Sequence, residues 1–255
     1  MTLEFASALD VGRARTNNED SVALDAEAKV AVLADGMGGY KAGEVASGMA
    51  TSLVCSSLVQ WLRSHCVPTP RELAQAMGHC VDQANRAIFD ASNGNPQYSG
   101  MGTTLVMVAV AGDQLVVGHV GDSRVYRLRG GQLQRLTRDH SMLQEQLDAG
   151  LITPAQAARS TNRNLVTRAL GVEAEVTLES RDHSLMYDDL LLLCSDGLTD
   201  MVDDEGICDL LCHTHASLQE ACHALVDAAN AAGGRDNISV VLVRAGGEAV
   251  ALGKR

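Results

Sequence analysis

Aromatic side chains are scarce in this chain: Phe, Trp and Tyr make up 3% of residues, although 46% are hydrophobic. A core must therefore be built from Ala, Val, Leu and Met. Basic residues are also in deficit, 20 Lys and Arg against 32 Asp and Glu. The resulting formal charge of −12 argues against nucleic acid or an anionic membrane as the main partner. Cys-x-x-Cys pairs are missing, and seven cysteines, an odd number, fit a reduced cytoplasmic protein better than a disulfide scaffold. No run approaches the length of a membrane span, and Met1-Thr2-Leu3-Glu4 lacks the basic start of a signal peptide. Linkers, repeats and low-complexity segments are absent as well. The expectation is a cytoplasmic monomer with no membrane partner, residues 1–245 forming one domain and 246–255 a flexible C-terminal tail.

What is present centres on Val30-Ala31-Val32-Leu33-Ala34-Asp35-Gly36-Met37-Gly38-Gly39. A short apolar run of strand length ends in a carboxylate beside three glycines. The run reads as a strand covered on both faces. Asp35 at its mouth leaves a charge at the edge of the core, which is costly unless a cation or donors meet it. The glycines permit close backbone approach to whatever Asp35 holds. Taken alone, the same pattern also fits a plain strand-to-turn exit.

Upstream, Glu4–Asp10 and Ser21–Asp25 read as strands around the charged turn Gly12–Asp20. Downstream, Glu44–His65 reads as a long helix. A second opens at the capping box Thr69-Pro70-Arg71-Glu72 and runs to about Ala91. Thr103–Ala111 with Gln114–Val120, and Val125–Arg129 with Gln132–Leu136, look like hairpins around Gly112-Asp113 and Gly130-Gly131. Residues 141–164 are polar and suggest two short helices. Strands resume at Val176–Ser180 and Leu190–Cys194, helices follow at Asp203–Cys212 and Ser217–Ala232, and Ile238–Arg244 closes the series. Helix pairs between groups of antiparallel strands point to a layered α+β sandwich, not to alternating βαβ units.

Four acids share one local setting. Asp35, Asp122, Asp196 and Asp236 each stand at a strand end near glycine. One such acid is commonplace as a turn cap; four in one chain suggest a shared cleft.

These residues carry a resemblance. Arg15-x-x-Asn18-Glu19-Asp20, Asp35-Gly36-Met37-Gly38-Gly39, Gly102-Thr103-Thr104, Gly121-Asp122-Ser123-Arg124, Leu136-Thr137-Arg138-Asp139-His140-Ser141, Ser195-Asp196-Gly197-Leu198 and Gly234-Arg235-Asp236-Asn237-Ile238-Ser239 occur in order. The set resembles the type 2C, metal-dependent family of Ser/Thr protein phosphatases, in its bacterial minimal form. The resemblance spans about residues 7 to 243. It implies a four-layer αββα sandwich of two antiparallel sheets flanked by helix pairs, with metals at one end. It further implies that Asp35 bridges two ions, that Asp196 and Asp236 complete one site, and that the Gly36 carbonyl serves the other. Glu19 and Asp20 would act through bound water, Asp122 with Asp196 would make a weak third site, and Arg15 would bind phosphate.

The chemistry agrees with those roles. Oxygen-only donors suit Mn²⁺ or Mg²⁺ over Zn²⁺. Two ions about 4 Å apart can activate a water for in-line attack, with no Cys or Ser nucleophile needed. Arg15 offers a bidentate fork that lysine lacks. The implied partners are phosphorylated proteins, the substrates of a cognate Ser/Thr kinase. Met37 and Tyr40 stand where some or many relatives of that type carry His, so the general acid is open between a metal-bound water and His140, for which a local hydrogen-bonding role competes. Cys208, Cys212, His213 and His215 could ligate zinc, although helical cysteines at apolar positions are usually core residues. Two rival readings stand beside the phosphoprotein phosphatase. One is a phosphoprotein-binding pseudophosphatase, the other an enzyme using the same centre on a nucleotide or smaller phosphoester.

Overall fold

The computed structural model describes residues 1–39, 42–157, 165–213 and 216–246. In chain order the first half holds β1 (Thr2–Asp10), β2 (Asp20–Asp25), β3 (Val30–Met37), α1 (Ala42–Ser64), α2 (Pro70–Gly94), β4 (Gly102–Thr103), β5 (Leu105–Ala111) and β6 (Gln114–Val120). The second half holds β7 (Arg124–Arg129), β8 (Gln132–Arg135), α3 (Met142–Asp148), α4 (Pro154–Ala157), β9 (Glu179–Ser184), β10 (Leu190–Cys194), α5 (Asp196–Thr199), α6 (Asp204–Cys212), α7 (Leu218–Ala231) and β11 (Ile238–Gly246).

The strands form two antiparallel sheets, ordered β1-β11-β10-β7-β8 and β2-β3-β5-β6-β9, with β4 on the end of β3. Side-chain alternation explains the layering. In β3, Ala31 and Leu33 point to the other sheet and meet Leu191, Leu193, Val241 and Val243. Val30, Val32 and Ala34 point the other way, onto Ala46, Val54, Leu58, Leu73 and Met77 of α1 and α2. In the opposite sheet Leu192, Cys194, Val240 and Leu242 pack on Ile207, Cys222 and Leu225 of α6 and α7. Aliphatic residues fill all three interlayer spaces, so the expected α+β sandwich is the one observed. The capping box is present too: Thr69 Oγ1 accepts from Glu72 N, and Glu72 Oε2 accepts from Thr69 N.

Four expectations need correction. The strand read at Val176–Ser180 lies at Glu179–Ser184 instead. Val176 and Leu178 are spent on the helix-side core, leaving the polar edge strand β9 to pair with β6 by backbone bonds. Thr103 belongs to the short β4, which pairs with Gly36 and Met37, and not to the β5 hairpin. The one-turn helix α5 was not anticipated. Finally, α1 is by length and composition long and apolar enough to cross a membrane. Its Ala42, Ala46, Ala50, Val54 and Leu58 are buried against the sheet, which accounts for that apolarity. The expected tail falls at 246–255, where only Gly246 is among the described residues.

Candidate metal centre

One end of the sandwich gathers the acids, and the backbone explains how. Antiparallel register sets Asp20 of β2 directly opposite Asp35 of β3. Asp35 is fixed by its main chain: its carbonyl accepts from Thr104 N (2.8 Å) and Thr103 Oγ1 (2.9 Å), and its N–H donates to Thr104 Oγ1 (3.1 Å). Gly36 N–H donates to the Glu19 carbonyl at 3.1 Å. A Cβ on Gly36 would overlap the Gly43 carbonyl, so only glycine lets α1 start this close to the strand end. On the other sheet, Asp196 follows β10 and opens α5. Asp236 precedes β11, and Asn237 beside it bonds to the carbonyls of Val11 and Asn17 and to the Glu19 N–H. That amide pins the whole 11–19 turn against the site.

Asp122 is buried at the exit of β6. Gly121 before it has φ +101°, with Thr104 packed where a side chain would go. Thr104 Oγ1 in turn bonds Ser123 Oγ at 2.7 Å, linking the Asp122 turn to the strand end that carries Asp35.

The electrostatics are those of crowded, desolvated carboxylates. Burial pushes Asp35 and Asp196 well above the usual carboxylate range. Asp20, Asp196, Asp122 and Asp236 add to the effect on Asp35, and Asp122, Asp200, Asp236 and Asp20 add to that on Asp196. Burial likewise pushes Asp20 up to about 6, with the charge of Asp236 adding to it. Asp122 also reaches about 6, through burial and then the charges of Asp139 and Asp200, with Arg124 opposing. Asp20 Oδ2 accepts from Ser195 Oγ at 2.8 Å, while Asp20 Oδ1 is buried with no hydrogen-bond partner. An orphaned carboxylate oxygen amid mutually repelling acids is a donor set fitted to hard divalent cations.

A pH test follows. Carboxylates with raised folded pKa hold protons that the unfolded chain gives up near pH 4, so their burial weakens the fold progressively as pH rises. For Asp20 and Asp122 that loss is complete above about pH 6. His119, His140 and His183, held neutral by burial, act the other way below their ordinary pKa. Their contribution is common to samples with and without cation and cancels in the difference. The Tm gain from saturating Mn²⁺ is therefore expected to be larger at pH 7.5 than at pH 5.5, where protons compete with the cation for Asp20, Asp35, Asp122 and Asp196. Equal gains at both pH values in scanning calorimetry would contradict the clustering.

The site residues read from the sequence distribute as follows. Asp20, Asp35, Asp122, Asp196 and Asp236 act on one another electrostatically, so they share one region. Arg15 reaches it, donating from its guanidinium to Asp236 Oδ2 at 2.7 Å. Glu19 borders it: a Cβ on Gly43 would fall 2.8 Å from its Oε2. Asp200 was overlooked. It caps α5 four residues after Asp196 and bears on both Asp196 and Asp122, a signal hidden because α5 is a single turn.

Met37 lines a cavity of about 680 Å³ with Val166, Thr167, Arg168, Val172 and Glu173. Tyr40, like His215, lies outside the described residues. Cys208 donates to the Gly131 carbonyl, and Cys212 is exposed at the end of α6. Among the described residues, the group of three donors within 4.8 Å of one another is His119, His140 and Glu179, not the cysteines.

Comparison with known proteins identifies the family. A family model described as "Protein phosphatase 2C" matches residues 12–230. The "Serine/threonine phosphatase stp" of Listeria welshimeri is 38% identical over 246 residues, covering 95% of each chain. The crystal structure of the Mycobacterium tuberculosis serine/threonine phosphatase PstP/Ppp superposes with a TM-score of 0.88 at 37% identity, over 97% of this chain and 100% of that one. The catalytic domain of the serine threonine protein phosphatase PstP, in complex with two manganese ions, gives 0.83 at 37% identity over 95% and 97%.

Proposed function

The chain belongs to the protein phosphatase 2C family, and on that premise we propose that it is a phosphoprotein phosphatase. It hydrolyses phosphoserine and phosphothreonine side chains with Mn²⁺ or Mg²⁺ and opposes a Ser/Thr kinase in bacterial signalling. The observation that carries this reading is the buried, unpartnered oxygen of Asp20 within a group of carboxylates held above their ordinary pKa.

Asp35, Asp196, Asp236 and the Gly36 carbonyl would hold two ions, with Glu19 and Asp20 oriented toward their waters. Asp122 with Asp196 would hold a weaker third. When bound, such ions lower the pKa of water and neutralise phosphoryl charge. The remaining work belongs to the chain. Arg15, whose fork already reaches Asp236 Oδ2, would grip the phosphoryl oxygens. Ser195, bonded to Asp20 Oδ2 and accepting from Ser239 N–H at 3.0 Å, would keep that carboxylate aimed. The cavity beside Met37 would accept the polypeptide that flanks the phosphorylated residue.

The match to the protein phosphatase 2C family over residues 12–230 favours a phosphoprotein over a free nucleotide. The test is phosphate release with Mn²⁺ from a phosphothreonine peptide against nucleoside triphosphates. Preference for the peptide in kcat/KM supports the reading, and preference for nucleotides would replace it with a small-phosphoester hydrolase.

A serine or threonine alkoxide leaves poorly without a proton, and we assign support of that transfer to the Asp122 site. Asp122→Ala is expected to lower kcat on phosphothreonine peptides by about tenfold or more, while p-nitrophenyl phosphate, a better leaving group, loses clearly less. Equal losses on both substrates, with two ions still bound, would remove the assignment.

A further inference from the structure

The group formed by His119, His140 and Glu179 lies outside the acid cluster and has no part in the reaction described above. Its donor atoms lie within 4.8 Å of one another, and the two rings stack with centroids 4.6 Å apart. A triad of this composition suggests a cation site, yet its hydrogen bonds say otherwise. A carbonyl only accepts, so His119 carries its proton on Nε2, which donates to the Arg138 carbonyl at 2.7 Å. An amide only donates, so Nδ1 of His140 is bare and accepts from Gly121 N–H at 3.2 Å. The proton of the neutral His140 ring then sits on Nε2, 3.3 Å from Glu179 Oε2. A cation on that nitrogen would displace the proton and force one onto Nδ1, against the Gly121 amide.

The main chain tightens the same junction. His140 N–H donates to the Gly121 carbonyl at 2.9 Å, so Gly121 is held at both its polar groups by one residue. The next side of the turn is held by Asp139, which takes Nε and Nη2 of Arg124 in a bidentate pair (3.1 and 2.7 Å). Asp122 lies between these two anchors. In the other direction, the His140 carbonyl accepts from Thr167 N–H at 2.8 Å, and Met142 N–H donates to the Leu165 carbonyl at 2.9 Å. Thr167 lines the cavity beside Met37. Burial, with His119 beside it, lowers the His140 pKa, in keeping with a ring that stays neutral.

We propose that His140 is a positioning residue whose bare Nδ1 and main chain lock the Gly121-Asp122 turn and tie it to the segment lining the substrate cavity. The proposal rests on the role assigned above to Asp122. It gives one residue a hold on both the leaving-group side of the site and the wall that meets the peptide. Stability alone does not require this arrangement, because a buried apolar residue could fill the same volume. What an apolar residue could not do is satisfy the Gly121 amide, an interaction expected to be worth about tenfold in the population of the locked turn.

The test uses His140→Asn, whose Oδ1 falls where Nδ1 sits, and His140→Gln, whose amide reaches the Nε2 position and leaves Gly121 unpartnered. Gly121 amide exchange is expected to accelerate about tenfold in His140→Gln and to stay near wild type in His140→Asn. Activity on a phosphothreonine peptide should follow the same order, with p-nitrophenyl phosphate little affected. In an Asp122→Ala background, His140→Gln should add nothing. Indistinguishable exchange and activity in the Asn and Gln variants would overturn the proposal. If Asp122→Ala alone leaves peptide hydrolysis intact, the Asp122 role fails, while the exchange measurement still decides the lock. Imidazole ¹⁵N shifts of the wild-type chain read the tautomer directly. A proton on Nδ1 of His140 would refute the lock without any variant.

Discussion

Asp35→Asn is expected to lower kcat by about three orders of magnitude or more, because removing even one neutral donor from a preorganised site costs about 10²–10³. Asp35 is the residue placed between the charges of Asp20, Asp122, Asp196 and Asp236. In the proposed assignment it is a ligand of the metal pair. The variant should fold, since β3 is held by Asp35 backbone bonds to Thr103 and Thr104 that the side chain does not make. Stability should move the opposite way from activity. A neutral amide relieves repulsion among buried acids, so the metal-free variant is expected to melt higher than the metal-free wild type at pH 7.5. Loss of activity together with loss of metal-free stability would point to a purely structural role for this carboxylate.

Arg15→Ala is expected to cut kcat/KM by roughly ten- to a hundredfold, the contribution of one charged hydrogen bond of about 1.5–3 kcal/mol. Both KM and kcat should change if the fork grips the phosphoryl group before and during transfer. The observed pair with Asp236 is half exposed on the Arg15 side, so its own contribution to stability is small. It does occupy Asp236 Oδ2. Removing Arg15 should therefore leave cation affinity unchanged or slightly tighter. A variant that loses cation binding yet keeps its efficiency at saturating metal would assign Arg15 to the ions and not to phosphate.

Much of this site could be read from the chain because its local chemistry is local in sequence. Asp122, Asp196 and Asp236 follow or precede a strand and Asp35 lies close to the end of β3, each near glycine, and a tight turn at a strand end leaves a legible mark. The strands themselves show in continuous aliphatic runs such as Val30–Ala34, every residue of which is buried. What stayed hidden depends on distant pairing. The strand β9 is polar because its ladder, not its side chains, holds it to β6. Asp200 is placed by one turn of α5, too short for any periodicity to reveal. The hold of His140 on Gly121 joins residues 19 apart through a ring nitrogen, and its stacking on His119 needs β6 to be in place first. The hydropathy of α1 misleads in the other direction, since its small apolar residues serve close packing on β3.

The acid cluster is expected to work only with two cations in it. The direct measurement titrates Mn²⁺ calorimetrically into chelator-treated protein while phosphate release from a phosphothreonine peptide is followed in the same samples. The expected result is no turnover without metal, activity rising as the two stronger sites fill, and its loss when chelator is restored. Turnover that survives exhaustive chelation would contradict it.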